Sequence, residues 1–95
     1  MPHYAIHCID KPHAGDLRAE TRAAHLDHIR SKGEDVLIAG PLLDGEGSPI
    51  GSLLVIDFAD RKEAIAFAAA DPYAQAGLFA SVAVTSWRQV LPEQE

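Results

Sequence analysis

The sequence predicts an α+β fold in which four strands and two helices alternate as β-α-β-β-α-β, and three observations carry that prediction. Apolar runs of strand length lie at residues 4–9, 35–39, 50–58 and 81–91, bounded by turn-forming residues. Two intervening segments, one through residues 14–32 and one opening at Asp60, space their apolar residues at the three-to-four-residue interval of a helix. Between the second and third strands lies only Asp44-Gly45-Glu46-Gly47-Ser48-Pro49, a turn-rich loop that makes the two a hairpin.

The first strand closes at Asp10-Lys11-Pro12, and the first helix begins near residues 14–16 with Asp16 as its cap. Gly33 suits the C′ position that ends it. A short strand over residues 35–39 stops at Gly40-Pro41, and the long apolar run at 50–58 reads as a well-buried strand. Asp60 with Glu63 three residues later is a capping box, and Ala64, Ile65, Phe67 and Ala68 carry the second helix. Asp71-Pro72 breaks that helix and caps a short extra turn, because the residue before a proline is pushed out of the helical region. The order folds as one antiparallel sheet with both helices on one face, the split βαβ or ferredoxin-like arrangement. No repeat or linker divides residues 1–95, which read as a single domain.

One face of that sheet is left over. On the third strand Ser52, Leu54, Ile56 and Phe58 point one way and Leu53 and Val55 the other, yet the helices cover only one side. Two sheets packed face to face would bury the remainder, so the pattern predicts a homodimer enclosing a barrel-like interior. The size of the chain argues the same way, since 95 residues bury a modest fraction of their surface and leave little room for a pocket.

Composition narrows the functional classes. A net charge of −6 speaks against a nucleic-acid or anionic-membrane surface. No run approaches the roughly 20 apolar residues of a membrane span, and the N-terminus lacks a basic-then-apolar leader, so the expectation is a soluble cytoplasmic protein. The single cysteine, Cys8, lies in an apolar run and reads as a packing residue in a reducing compartment. His-Glu-x-x-His, paired cysteines, a Gly-rich phosphate loop and Gly-x-Ser-x-Gly are all missing. His3 and His7 share one face of the first strand and could join His25 or His28 around a metal, but the spacing is not diagnostic. Neither a metal nor a cofactor is therefore expected, and His13 reads as a solvated loop residue.

The most informative feature is a basic stripe. Arg18, Arg22 and His25 stand at i, i+4 and i+7 of the first helix, within an arc that also holds Leu17, Thr21, Ala24, Leu26 and Ile29. Glu20, Asp27, Arg30 and Ser31 take the opposite side. Charge on a core-facing stripe is costly unless it is paired or kept for a ligand, so the stripe points to an anionic or proton-transferring site.

The series Tyr4-x-Ile6, Asp10-Lys11, Arg18-x-x-x-Arg22-x-x-His25-Leu26, Ala39-Gly40-Pro41-Leu42, Gly51-Ser52, Asp71-Pro72-Tyr73 and Ala76-Gly77 resembles the YCII-related proteins of bacteria over nearly the whole chain. The resemblance implies dimeric α+β barrels of ferredoxin-like subunits and a histidine–aspartate acid–base dyad in a cleft, at positions matched by His25 and Asp71. One branch of that family removes chloride from a chlorinated hydroxyquinone, and relatives in the wider superfamily isomerise lactones. The present sequence departs from the commoner pattern in a shorter loop between strands two and three, which would reshape the pocket mouth, and in Trp87 in place of phenylalanine.

Each candidate also has a structural reading. An imidazole ordinarily near pKa 6.5 can move protons at neutral pH if a carboxylate fixes its tautomer, but His25 could equally pack against the sheet. Asp71 before Pro72 is a natural helix N-cap, and one oxygen can cap while the other faces His25. Arg22 is the better candidate for holding substrate oxygens, whereas Arg18 at the helix start has Asp10, Asp16 and Glu20 near it as ion-pair partners. Ser52 could donate to a ligand or bond its own backbone, and Tyr73 could offer a phenol or only a ring. These readings converge on cofactor-free acid–base chemistry on a small anionic or phenolic compound, a lyase or isomerase. The alternatives are a non-catalytic metabolite-binding module and a dimerisation unit.

Overall fold

A computed structural model describes residues 2–93. The elements are β1 (His3–Asp10), α1 (Gly15–Arg30), a 3₁₀ turn (Gly33–Asp35), β2 (Val36–Leu43), β3 (Pro49–Asp57), α2 (Arg61–Ala70), α3 (Pro72–Gln75) and β4 (Phe79–Trp87). The strands form one antiparallel sheet in the order β2-β3-β1-β4, the ferredoxin-like topology that the element order predicts.

Cross-strand register assembles the core. Tyr4 stands opposite Ile56, Ile6 opposite Leu54 and Cys8 opposite Ser52, so one face of the two central strands is a continuous buried surface. Ile29 of α1 and Ala64 and Ala68 of α2 close over it with Phe58. The other face carries Leu53 and Val55 opposite His7 and Ala5, with Ile38 beside them at 52% exposure. The predicted split of the third strand is thus the split observed.

Several boundaries differ from expectation, each for a physical reason. β2 does not stop at Gly40-Pro41 but runs to Leu43, because it is an edge strand where a proline can sit without breaking an interior ladder. β4 begins at Phe79, paired with Asp10, and ends at Trp87, paired with His3, which opens β1. The apolar residues Val90 and Leu91, expected in that strand, have nothing to pair with and stand 70% and 73% exposed. Asp16 does not cap α1: the N-cap is Ala14 without a side-chain bond, and Asp16 lies in the first turn, where a carboxylate suits the helix dipole. Gly33 has φ of +56° but follows the C-cap Ser31 by two residues, inside the 3₁₀ turn. Ala24 faces solvent. At α2 the box forms as expected on one side, with Glu63 N–H donating to Asp60 at 2.9 Å, while the Glu63 carboxylate reaches Ala59 N–H.

Gly51 is required where β3 passes β1, since a Cβ there would lie 2.3 Å from the Cys8 carbonyl oxygen. Cys8 itself is buried, and burial, aided by the nearby Asp71 and Asp10 charges, pushes its thiol from 9.0 up to about 12. Two consequences follow from the sign of that shift. The folded protein holds its thiol proton where the unfolded chain has lost it, so stability falls as pH rises from about 9 towards about 12. Thiol titration with a disulfide reagent at pH 8 is expected to be slow in the native protein and immediate in denaturant; prompt native labelling would contradict the packing role. No helix among the described residues is long and apolar enough to cross a membrane.

Candidate active site

The basic stripe runs along the middle of α1, from Arg18 to His25, and the fold turns it towards the sheet. Between them is a cleft of about 430 Å³ whose lining includes Arg18, Arg22 and His25 from α1, Ser52 from β3 and Tyr73 from α3. Ala39, Gly40 and Pro41 of β2 form its far wall, and Ser48 and Pro49 of the short hairpin loop stand at its edge. The wall from β2 is the part that sequence reasoning missed. Its signal is the run of small, nonpolar residues at 39–41, read there as a strand end and as one motif of the family resemblance but not as part of the site.

The stripe separates into three chemically distinct positions. Arg18 is buried and paired: Nε donates to Asp10 Oδ2 at 2.7 Å, and Nη2 lies 3.0 Å from Asp10 Oδ1, 2.8 Å from the Gly51 carbonyl and 3.0 Å from Ser52 Oγ. Burial alone would lower its pKa, but the Asp10 hydrogen bonds and charge outweigh that and raise it, so the guanidinium stays a cation. Arg22, one turn on, is exposed on the cleft side and makes no salt bridge among the described residues. Sequence reasoning singled out Arg18 as the one to pair and Arg22 as the one left for a ligand, and their surroundings differ in that sense.

His25 is buried against α3. Its Nδ1 lies 2.8 and 3.0 Å from the two Asp71 carboxylate oxygens. A carboxylate only accepts, so Nδ1 carries a proton and, in the neutral imidazole, Nε2 keeps its lone pair. Among the described residues no protein group bonds that nitrogen, and the ring borders the cleft. Asp71 does what its place before a proline demands as well, with Oδ1 accepting from Tyr73 N–H at 2.9 Å to cap α3. Capping and pairing with His25 therefore coexist in one side chain.

Tyr73 is 1% exposed, and its ring stacks on the imidazole with centroids 3.8 Å apart and planes 13° apart. The Arg18 guanidinium carbon sits 4.7 Å from the same ring centroid. Burial raises the phenol's pKa, with Arg18 and Arg22 pulling it back in part. Ser52, buried beneath, has its hydroxyl against Arg18.

The other histidines lie elsewhere. His28 Nε2–H donates to the Phe67 carbonyl at 2.9 Å and its ring stacks on Phe67, while His3 meets Trp87 edge-on. Among the described residues no three His, Cys, Asp or Glu side chains gather to hold a metal.

Comparison with known proteins agrees with this geometry at the level of family and fold. The YCII-related domain family model matches residues 2–88. Protein YciI of Escherichia coli O6:H1 is 32% identical over 95 residues, an alignment spanning 92% of this chain and 97% of that one. A solved 5-chloro-2-hydroxyhydroquinone dehydrochlorinase from Burkholderia phenoliruptrix AC1100, in complex with 2,5-dihydroxybenzoquinone, superposes with a TM-score of 0.86 at 27% identity, covering 90% of this chain and 93% of that one. An antibiotic biosynthesis monooxygenase at 14% identity and a TM-score of 0.58, covering 95% of this chain and 99% of that one, shares the fold alone.

Proposed function

This chain belongs to the YCII-related domain family, and on that premise we propose that it is a cofactor-free acid–base enzyme acting on a small ring compound with an anionic or phenolic oxygen. In its sharpest form the reaction is loss of hydrogen chloride from a chlorinated hydroxyhydroquinone. The observation that carries the reading is the pairing of His25 Nδ1 with Asp71, which leaves Nε2 as an open base at the edge of a cleft large enough for one ring. The dehydrochlorinase that superposes on nearly the whole chain supplies the substrate class.

The chemistry balances on one base. His25 Nε2 takes a proton from a ring hydroxyl and returns it to the chlorine-bearing carbon, giving a ketone tautomer with that carbon tetrahedral. It then takes the proton of a second, conjugated hydroxyl; the oxygen's electron pair forms the new carbonyl, the double bonds shift, and the C–Cl bond breaks with its pair leaving as chloride. The ring is oxidised to a quinone as C–Cl is reduced to C–H, and the net loss is HCl. Asp71 stabilises the imidazolium between steps, and Arg22 holds the oxygen on which charge accumulates. Arg18, satisfied by Asp10, and Ser52 build the floor on which the ring rests, with Tyr73 at its side.

Measuring chloride release from a small panel of chlorinated hydroxyhydroquinones, with no metal or cofactor added, tests this directly. Release at a rate above the spontaneous one is the expected result. Binding of the panel without release would favour the metabolite-binding module, since the same open Arg22 serves both.

The working unit in this reading is a homodimer packed through the helix-free sheet face, where Leu53, Ile9, Ile38 and Trp87 form an apolar surface. Sedimentation at micromolar concentration is expected to give twice the chain mass; a monomer at the concentration where activity is measured would remove the dimer from the proposal.

A further inference from the structure

Two restraints are needed to aim an imidazole, one within its plane and one across it. Asp71 supplies the first: both carboxylate oxygens lie on Nδ1, at 2.8 and 3.0 Å, which fixes the direction of that nitrogen but leaves the ring free to roll about the contact. The second comes two residues later in the same cap. Tyr73 lies nearly parallel to the imidazole at 3.8 Å, is almost wholly buried, and has its own N–H bonded to Asp71 Oδ1 at 2.9 Å. Pro72 between them has a fixed φ, so the carboxylate and the phenol ring form one stiff element.

The ring is held in turn from α1. Arg18 and His25 are seven residues, two helical turns, apart, which separates them by about 10 Å along the axis. Tyr73 makes contact with both, 4.7 Å from the guanidinium and 3.8 Å from the imidazole, and so fills the gap between them. Arg18 cannot drift, because Asp10, Gly51 and Ser52 hold it. Phe79 meets the phenol ring edge-on from β4, at 5.9 Å and 87°.

From this geometry we infer that Tyr73 is a positioning residue for His25: its ring, wedged between Arg18 and the imidazole, sets the plane in which Nε2 presents its lone pair to the cleft. The inference rests on His25 being the proton-transferring group, but its physical content is the orientation of a ring, which can be read without turnover. The function follows from the ring face and not from the hydroxyl, so phenylalanine should replace tyrosine and an aliphatic side chain should not.

Imidazole NMR on nitrogen-15-labelled protein is the test. In the wild type the carbon-bound ring protons of His25 are expected upfield of those of solvent-exposed His13, because they lie over the Tyr73 face, with Nδ1 protonated. Tyr73→Phe should keep both signatures, whereas Tyr73→Leu should lose the upfield shift and free the ring to roll, read as faster imidazole relaxation with Nδ1 still protonated against Asp71, even where thermal melting shows a folded protein. If chloride release is observed, Tyr73→Leu should lower kcat by up to about 10²-fold with KM near wild type, and Tyr73→Phe should restore it. His25 signals unchanged in Tyr73→Leu, or Tyr73→Phe behaving like Tyr73→Leu, would overturn the inference. If Tyr73→Leu fails to fold, an unshifted His25 ring in the wild type alone would do so. None of the NMR outcomes depends on the substrate, so failure of the dehydrochlorination reading leaves them intact.

Discussion

Replacing His25 by alanine is expected to reduce chloride release from a chlorinated hydroxyhydroquinone by about 10²–10⁴-fold, the range supplied by a positioned general base, with KM changed little. Binding should survive because the substrate oxygen is assigned to Arg22, and the imidazole acts only on the proton. Asp71→Asn separates the two duties of the aspartate. Asparagine caps a helix about as well as aspartate, so α3 should keep its start and the protein its stability. An amide can, however, turn its NH₂ towards Nδ1, which drives the imidazole proton onto Nε2 and removes the lone pair from the cleft. A fall in kcat comparable with that of His25→Ala, at an unchanged melting temperature, is therefore the expected signature of Asp71→Asn. Asp71→Ala would lose both cap and partner and should melt earlier as well. Full activity in His25→Ala would end the acid–base reading, whatever the fold.

How much of this site is legible in the sequence depends on which physical signal each part leaves. The stripe Arg18, Arg22 and His25 is legible because polar residues on a core-facing helical arc violate the pattern that otherwise builds the helix, and such violations point to a functional or strained site. Asp71 is legible as a cap because Pro72 follows it, and α3 is there as expected. What joins His25 to Asp71, 46 residues apart, is tertiary, and only the family resemblance brought the two together beforehand. The stack of Tyr73 on His25 leaves no periodic trace at all. The β2 wall of the cleft is illegible for a different reason: Gly40-Pro41 is a strong local stop signal, overruled because an edge strand can carry a proline. The same weighing explains the error at the C-terminal end of β4, where the apolar character of Val90 and Leu91 suggests a strand but β1 offers no residue to pair with them. Local chemistry sets element identity, and partners set element ends.

A stability effect as large as that of emptying an apolar core position should come from Arg18. Its guanidinium and the Asp10 carboxylate are 9% and 7% exposed as side chains, and their 2.7 Å contact locks the first turn of α1 to the end of β1. A buried pair of this kind gains little over a well-packed apolar pair, because both charges had to be desolvated. Breaking it is another matter. Arg18→Met would leave a buried carboxylate without its cation, and the Gly51 carbonyl and Ser52 hydroxyl without their donor, at a cost of about 3–5 kcal/mol. For a domain of this size each kcal/mol lowers Tm by about 4–8 °C, so a drop of more than about 12 °C is expected. Adding Asp10→Asn to Arg18→Met removes the stranded charge and should recover much of the loss, which a double-mutant cycle would read as a coupling energy of opposite sign to the single effects. A cycle with no coupling would mean that the pair is solvated and weak. The comparison also separates two arginines of like chemistry four residues apart: Arg18 is spent on holding α1 to β1 and β3, and that attachment is what leaves Arg22 poised over the cleft with its charge uncommitted.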